Sequence, residues 1–274
     1  MDEVQVIIFS KNRSLQLEAC LHSFYDNCVE KVDITVLYTT TNDDHENSYK
    51  KLQKTYKNVV FLQEKSFKSD LLSILTDKTY VLFVCDDAIF TDSFSLQKTI
   101  DFLKRHSKTI GFSFRLGTNT QYCYSHNMPQ DLPEYTLYDN IMLFDWTTAQ
   151  LDFQYPVELS SSIYKIDDIL PILDQCEYKN PNDLEWVFYI NLNYFANLKQ
   201  LLGCFEISVA FCNPINKVQN VNNNRSGENY EFNSENLLKI FNKGYRIDLS
   251  NFKGFVSSAC HQEVHFSLRR DDEL

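Results

Sequence analysis

Two adjacent carboxylates, Asp86 and Asp87, follow Cys85 at the end of an apolar run at residues 80–84. The run is rich in β-branched and aromatic residues without polar alternation, which is typical of a central strand covered on both faces. Two charges at the end of such a strand repel each other and lose hydration, so they persist more easily beside a cation or a ligand. Paired carboxylates suit Mg²⁺ or Mn²⁺ shared with substrate phosphates, although either aspartate could instead cap the following turn.

The first ninety residues alternate between predicted strands and helices. Strands are predicted at residues 4–9, 33–40, 58–62 and 80–84, and helices from Ser14 onward, at 45–56 and at 66–75. This alternation indicates a mostly parallel sheet with helices on both faces. We therefore predict an α/β fold with a Rossmann-type central sheet flanked by helices. Such sheets bind ligands beyond the carboxyl ends of their strands, where Asp86 and Asp87 would lie.

The second half of the chain is less regular. Strands are predicted at residues 110–115, 141–146, 206–211, 245–249 and 263–268, and helices at 93–105, 167–175, 180–198 and 234–242. The stretch at 117–140 is polar and aromatic, and a loop of that length within a domain is usually functional or mobile. We expect a single domain over residues 1–274, made of a first half at 1–116 and a smaller mixed C-terminal region at 117–274.

Composition argues against several classes of protein. The chain has 274 residues, a formal net charge of −11 and six glycines. The acidic balance argues against a nucleic-acid binder, which usually carries a basic face. No GxGxxG, P-loop or GxSxG motif occurs, which weakens the dehydrogenase, NTPase and α/β-hydrolase hypotheses. With so few glycines, a phosphate site would use side chains and a metal more than a glycine-rich loop.

The cysteines and the termini bear on the compartment. Eight scattered cysteines without a CxxC pattern argue against a zinc knuckle and favour reduced thiols. The acidic start is not typical of a signal peptide, and no apolar stretch is long enough to span a bilayer. We therefore expect a cytoplasmic protein. The last four residues, Asp-Asp-Glu-Leu, resemble an ER-retrieval tail, which we take as a coincidence.

Five short segments follow one another in an order that is informative as a set. They are Phe-Ser-Lys-Asn-Arg at 9–13, Cys-Asp-Asp at 85–87, Asn-Pro-Asn-Asp-Leu-Glu at 180–185, Val-Gln-Asn-Val at 218–221 and Cys-His-Gln-Glu-Val at 260–264. In this order, and over nearly the whole chain, they resemble a GT-A-type glycosyltransferase, similar to the bacterial family 2-like enzymes. The chain has Asp-Asp where the family commonly has Asp-x-Asp, and Asp-Leu-Glu where inverting members have Glu-Asp.

The resemblance implies a nucleotide-sugar donor, with a UDP-sugar as the first choice, a divalent cofactor (Mn²⁺ or Mg²⁺) and a glycan or other acceptor hydroxyl. Residues 1–116 would bind the donor, and residues 117–274 would bind the acceptor and carry out the transfer. By the same likeness, the donor would be bound by Ser10, Asn12, Arg13, Lys68, Asp86 and Arg115, the metal by Asp87 and His261, and the general base would be Glu185 or Asp183.

Several of these residues have an ordinary structural alternative. Glu185 follows Asn182 at capping-box spacing, and a capping carboxylate has a lowered pKa, which keeps Asp183 open as the base. His261 could be an ordinary histidine at the end of a strand. Arg115 could equally be a surface salt-bridge partner.

The aromatic residues and the Asn-rich loop also leave alternatives open. Tyr122, Tyr124, Trp146 and Tyr155 could form a wall that stacks on a sugar, although aromatics at 14% of the chain are usually core. The loop around Arg225 could close over the donor, although such loops are more often plain surface.

Two other functions share parts of this pattern. A nucleotidyltransferase has a similar α/β start and acidic metal site, but it usually carries a glycine-rich loop after the first strand. A GT-A-like module that has lost its base would bind a nucleotide sugar without turnover.

Overall fold

The computed structural model of the chain describes residues 2–75, 77–218, 225–227 and 229–271. Residues 219–221 of the Val-Gln-Asn-Val segment and residues 272–274 of the C-terminal tail lie outside the described residues.

Strands and helices alternate through the first half and become shorter in the second. The strands are β1 (Val4–Lys11), β2 (Asp33–Thr39), β3 (Val59–Gln63), β4 (Tyr80–Cys85), β5 (Ala88–Phe90), β6 (Thr109–Ser113), β7 (Tyr122–Cys123), β8 (Met128–Pro129), β9 (Tyr135–Tyr138), β10 (Ile141–Asp145), β11 (Ser162–Lys165), β12 (Leu201–Phe205), β13 (Ala210–Cys212), β14 (Tyr245–Ile247) and β15 (Leu268–Arg270). The α-helices are α1 (Ser14–Asn27), α2 (Asp43–Thr55), α3 (Phe67–Ile74), α4 (Leu96–Arg105), α5 (Ile166–Gln175), α6 (Pro181–Ile190), α7 (Leu192–Leu198) and α8 (Ser234–Asn242). Three single-turn 3-10 helices lie at Leu151–Gln154, Tyr230–Phe232 and Ser250–Phe252.

Nine strands form one sheet in the order β3-β2-β1-β4-β11-β6-β12-β10-β9. The strands from β3 to β4 are parallel, β11 runs against both β4 and β6, β12 is parallel to β6, and β10 runs against β12 and β9. Only β11 and β10 therefore oppose the common direction. The mostly parallel α/β sheet flanked by helices that the sequence predicts is confirmed.

Strand β4 lies inside the sheet and is covered on both faces, as its unbroken apolar run predicts. Its odd and even residues belong to different cores, because side chains alternate across a strand. Leu82 and Val84 pack in the cluster on one face, and Val81 and Phe83 pack in the cluster on the other. The strand ends at Cys85, and Asp86 and Asp87 form the turn into β5.

The long helix predicted at residues 180–198 is wrong, because two helices meet at Asn191. The Asn191 side chain donates to the carbonyl of Val187 at 2.8 Å, which is a local bond that competes with helix propagation. The predicted capping box is also wrong. Asn180 is the N-cap and accepts from the amide of Asp183 at 2.9 Å, with Pro181 in the first turn. Glu185 therefore does not serve as a capping-box residue.

The strand predicted at 206–211 is also wrong as a single element. β12 ends at Phe205, and β13 begins at Ala210. Between them, the Glu206 carbonyl accepts from the amide and the hydroxyl of Thr118, both at 2.8 Å. This contact draws the chain out of the large sheet, and β13 then pairs with β5 beside the end of β4.

The strand predicted at 263–268 is wrong, because side-chain bonds replace the strand ladder there. The Asn213 amide group donates to the Val264 carbonyl at 2.9 Å and accepts from the Val264 amide at 3.1 Å. Strand β15 begins only at Leu268. The helix at 234–242 is confirmed, and Gly244 follows it in the left-handed region at φ +83°.

The division into halves at residues 116 and 117 stays a prediction, and strands from both halves share the large sheet. Within the described ranges, every helix is too short or too polar to cross a bilayer.

Candidate active site

The end of β1 and the loop that follows it place the Ser10 and Arg13 side chains against Asp86, directly after β4. Phe9 is aligned with Cys85 across the two parallel strands, so the residues that follow each strand meet. Asn12 has φ +55°, a left-handed conformation that asparagine tolerates better than most residues. Its side chain donates to the Thr41 hydroxyl at 2.9 Å and accepts from the Thr41 amide at 3.0 Å. This pair of bonds holds the loop against the end of β2.

Asp86 is a buried carboxylate with a partner on each oxygen. One oxygen accepts from the Ser10 hydroxyl at 2.8 Å and from the Lys11 amide at 3.2 Å. The other accepts from an Arg13 nitrogen at 3.0 Å. Burial raises the pKa of Asp86, and the Arg13 guanidinium opposes that shift. A phenol completes the cluster, since the Tyr49 hydroxyl lies 2.5 Å from the Ser10 hydroxyl.

Arg13 links both aspartates to a later loop. The nitrogen that contacts Asp86 also lies 3.2 Å from the Asp87 carboxylate. The rest of the guanidinium donates to the side chain of Asn216 at 2.9 Å and to its backbone carbonyl at 2.5 Å. Burial opposes the charge on Arg13, but the two carboxylates raise its pKa overall. The cation expected beside the carboxylate pair is therefore supplied by the chain.

Arg115 and Glu158 form a second buried ion pair. Arg115 donates to Glu158 at 2.7 Å, and both side chains are almost fully enclosed. Glu158 also accepts from the Ser160 amide and the Ser162 hydroxyl. A different Arg115 nitrogen lies 3.2 Å from His261 Nε2, and burial together with Arg115 lowers the pKa of His261 to about 3. Arg115 is thus an interior residue and not the surface salt-bridge partner of the alternative.

The two candidate bases have different surroundings. Glu185 is half-buried on α6, and one of its oxygens accepts from the Leu159 amide at 3.3 Å. Burial first, and then the charges of Glu158 and Asp87, raise the pKa of Glu185 to about 7. Asp183 instead accepts from the Lys179 amide at 3.1 Å in the first turn of α6. The charges of Glu158 and Asp87 therefore act on Glu185, whereas the Asp183 carboxylate binds the backbone just before its own helix.

Lys68 is held away from this cluster. Its ammonium group donates to the carbonyls of Asp174 and Cys176 at 2.9 and 2.8 Å, and it pairs with Glu177 at 3.1 Å. Its role at the donor stays a prediction, and it would require Lys68 to leave these partners.

Glu158 and Ser161 belong to this region, although no motif in the sequence marks them. Glu158 joins the site through Arg115 and through its influence on Glu185. Ser161 is fully buried, has φ +118° and has no partner for its hydroxyl. Such backbone strain in a non-glycine residue is commonly found at functional sites. A serine run without periodicity at 160–162 was the sole signal in the sequence.

The four aromatic residues that could form a sugar-stacking wall do not all lie on one exposed surface. Trp146 is 3% exposed and donates its ring N–H to the Lys199 carbonyl at 3.0 Å, so it is a core residue. Tyr124 packs against the Arg225 guanidinium, whose carbon lies 4.2 Å from the ring centre. Tyr155 contacts α6 through a bond from its hydroxyl to the Glu185 carbonyl at 3.0 Å.

The carboxylates fit a divalent ion in part. Among the described residues, no group of three or more His, Cys, Asp or Glu side chains could hold a metal by itself. Asp87 uses one carboxylate oxygen for Arg13 and is partly open to solvent. One open carboxylate suits Mg²⁺ or Mn²⁺, which usually take the rest of their ligands from water and substrate phosphates. His261 faces Arg115, so its role as a ligand stays a prediction that requires Arg115 to move.

The fold and the site together define an α/β protein with a carboxylate-rich site at the carboxyl end of its central strands, where such proteins bind their ligands. No protein-family model matches the chain. A curated relative, the bifunctional glycosyltransferase pgtA of Dictyostelium discoideum, is 29% identical over 191 residues, which cover 62% of this chain and 25% of the relative. The chain spans about a quarter of that relative's length. The resemblance to a glycosyltransferase that the motifs predict is confirmed by this relative.

Two solved structures are similar to the chain at low sequence identity. S. aureus TarS 1–349 in complex with UDP-GlcNAc has a TM-score of 0.49 at 12% identity, over 74% of this chain and 56% of that one. The mannosyltransferase PcManGT from Pyrobaculum calidifontis, in complex with GDP-Man and Mn²⁺, has a TM-score of 0.40 at 12% identity, over 62% of this chain and 46% of that one.

Proposed function

We propose that the chain is a glycosyltransferase that moves a sugar from a nucleotide-diphosphate sugar to an acceptor hydroxyl, with inversion at the anomeric carbon. The relative in Dictyostelium supports the class of reaction. The motif resemblance supports UDP as the nucleotide. The observation that carries the proposal is the placement of the Glu185 carboxyl group, which accepts from the Leu159 amide at 3.3 Å and whose pKa is raised to about 7 by burial and by the charges of Glu158 and Asp87.

Glu185 has the properties that a general base requires. A base works best when its pKa lies near the working pH, because a large share of it is then ionised and it still accepts a proton readily. An ordinary glutamate at 4.5 would be a weaker base than one at about 7. In the proposed step, Glu185 takes the proton of the acceptor hydroxyl. The acceptor oxygen forms a bond to the anomeric carbon while the bond from that carbon to the diphosphate breaks on the opposite face, so in-line attack inverts the centre.

The donor would lie over the loop after β1 and the end of β4. In this arrangement Ser10 and Asn12 border the nucleotide, and Asp86 accepts from the ribose. Arg13 already holds Asp86 and Asp87 at 3.0 and 3.2 Å, so its role is to position these two carboxylates. Arg115 supplies positive charge close to the transferred group.

A divalent ion belongs to this proposal as a cofactor held by Asp87. When bound, it would neutralise charge on the leaving diphosphate, which is worth several kcal/mol in metal sites generally. Lys68 and His261 are further candidates for donor and metal contacts, and substitution of each tests its role separately.

The experiment is a donor panel. UDP- and GDP-linked sugars are incubated with the purified chain and Mn²⁺, and release of the nucleoside diphosphate is measured with and without acceptors. We expect release from one donor class and its loss in Glu185→Gln when an acceptor is present. Asp183→Asn is the matched control, because it removes a carboxylate from the same helix without touching the site. Release of pyrophosphate from an NTP and a sugar phosphate would show that the chain is a nucleotidyltransferase instead. Tight UDP binding without turnover would show that it is a GT-A-like module that has lost its base.

A further inference from the structure

Helix α6 presents an exposed aromatic surface immediately beside the proposed base. Trp186 is 59% exposed, Tyr189 is 49% exposed and Ile190 is 58% exposed. These residues have the i, i+3 and i+4 spacing that places side chains on one face of a helix. Large apolar side chains grouped in this way on a surface usually mark a binding site, because scattered single exposures are the norm elsewhere.

The rings of this surface are ordered against one another. Trp186 and Tyr189 are stacked, with centroids 5.5 Å apart and planes inclined by 28°. The ring of Tyr155 lies 6.3 Å from that of Tyr189 and extends the surface toward the loop before β11. We call Trp186, Tyr189 and Tyr155 the aromatic platform. Side chains that are already ordered lose little freedom when a ligand binds, which favours affinity.

The platform is connected to the proposed base by sequence and by a hydrogen bond. Trp186 follows Glu185 in the chain, and the Tyr155 hydroxyl donates to the Glu185 backbone carbonyl at 3.0 Å. A molecule lying on the platform is therefore close to Glu185, which carries the carboxylate of the proposed base. The acceptor must present its hydroxyl to that group, so the platform is where the body of the acceptor would lie.

The chemistry of the surface selects among acceptors. One face of a pyranose ring carries C–H groups and packs on an aromatic face, while its hydroxyls stay at the rim and remain free to react or to bind water. The site holds four carboxylates, Asp86, Asp87, Glu158 and Glu185, against the two guanidinium groups of Arg13 and Arg115. This negative balance disfavours an anionic acceptor by like-charge repulsion. An uncharged sugar ring satisfies both conditions, whereas a peptide hydroxyl alone would leave the rings unused.

We propose that the aromatic platform binds an uncharged saccharide as the acceptor, with its ring stacked on Trp186 and Tyr189 and one hydroxyl directed to Glu185. This inference rests on the proposed glycosyltransferase function and names the class of its acceptor. The platform differs from the wall expected from the sequence, with which it shares only Tyr155.

The first experiment measures binding without turnover. The sequence contains two tryptophans, and Trp146 is 3% exposed, so a ligand on the surface should change mainly the emission of Trp186. The chain is titrated with methyl glycosides of glucose, galactose and N-acetylglucosamine in the presence of UDP and Mn²⁺. We expect a saturable blue shift with at least one glycoside and no shift in Trp186→Phe. The absence of any shift with all three glycosides would contradict the proposal.

The second experiment measures transfer. The same glycosides and a serine- and threonine-containing peptide without sugar are offered as acceptors with the donor found in the panel. We expect transfer to a glycoside, and a rise of about tenfold in its KM in Trp186→Ala. Trp186→Phe and Tyr189→Phe, which keep a ring, should stay within threefold. Tyr135→Ala removes an exposed tyrosine from strand β9 and serves as the matched control, with KM unchanged.

The two proposals fail in different ways. If no donor is bound or turned over, the proposed function itself is wrong. If a donor is turned over but the peptide is the better acceptor, or if Trp186→Ala leaves the KM for glycosides unchanged, the platform does not bind the acceptor and the proposed function stands.

Discussion

The guanidinium of Arg13 lies 3.0 Å from the carboxylate of Asp86, although the two residues are separated by 73 positions in the sequence. The pair forms because β1 and β4 are neighbours in the sheet and end at the same edge. The same guanidinium nitrogen contacts Asp87 at 3.2 Å. Two adjacent carboxylates at the end of a buried strand are thus compatible with a stable fold without any ligand.

Replacing Arg13 should destabilise the fold. Arg13→Ala leaves two carboxylates without their cation, and loss of one partner of a buried ion pair costs about 3 kcal/mol or more. Arg105→Ala is the control, since that side chain is exposed and should cost less than about 0.5 kcal/mol. The free energy of unfolding in urea measures both. Adding Asp87→Asn to Arg13→Ala should recover about 1 kcal/mol, because one unpaired charge is removed. A loss below 1 kcal/mol in Arg13→Ala would show that the pair contributes little.

The rate of transfer should depend on pH through Glu185. The base must be ionised, and its pKa is about 7. We expect kcat/KM to rise about tenfold per pH unit below pH 7 and to level above it. At the plateau, Glu185→Gln should lower kcat/KM by about 10² to 10⁴, whereas Asp183→Asn should change it less than threefold. A profile that is flat from pH 5 to 8, or a larger loss in Asp183→Asn, would remove Glu185 from this role.

Glu185 should also reduce stability at neutral and alkaline pH. Its folded-state pKa, about 7, lies above its usual 4.5, so the folded state favours the protonated carboxyl. The stability that Glu185 contributes is present below pH 4.5 and is lost as the pH rises to 7, since ionisation is easier in the unfolded chain. Glu185→Gln lacks this loss. It should match the unsubstituted protein at pH 4.5 and exceed it by on the order of 2 kcal/mol at pH 8.

Unfolding in urea at several pH values tests this difference. Glu134→Gln replaces an exposed carboxylate outside the site and is measured alongside as the control. Asp86 titrates in both proteins, so its contribution cancels in the comparison. A Glu185→Gln variant that is equally or less stable at pH 8 would contradict the prediction.

Metal binding should depend on Asp87. We expect EDTA to abolish donor turnover and Mn²⁺ or Mg²⁺ to restore it. Asp87→Asn should weaken the affinity for Mn²⁺ in the presence of UDP by at least tenfold, measured from the electron paramagnetic resonance signal of free Mn²⁺. Turnover that survives EDTA would contradict this part of the proposal. His261→Ala tests the second predicted ligand: a similar weakening would assign His261 to the metal, and an unchanged affinity would leave it as a partner of Arg115.

The sequence by itself determined those features that depend on neighbouring residues. The apolar run at 80–84 predicted a strand covered on both faces, and the carboxylates at its end indicated a site. Alternation of strands and helices over the first ninety residues predicted the mostly parallel sheet. The predictions of the strand and of the sheet succeeded because periodicity records which side of an element is buried.

Tertiary structure decided the partners. Arg13 binds Asp86 and Asp87, and Arg115 binds Glu158 across 43 positions. Sequence alone could not indicate these pairs, since strand order brings them together. The same reason explains why some predicted strands do not form. At 263–268, the side chain of Asn213, which follows β13, binds the backbone of Val264 in place of a neighbouring strand. The pKa of Glu185 likewise depends on burial and on charges from distant segments, which act through space and leave no pattern in the chain.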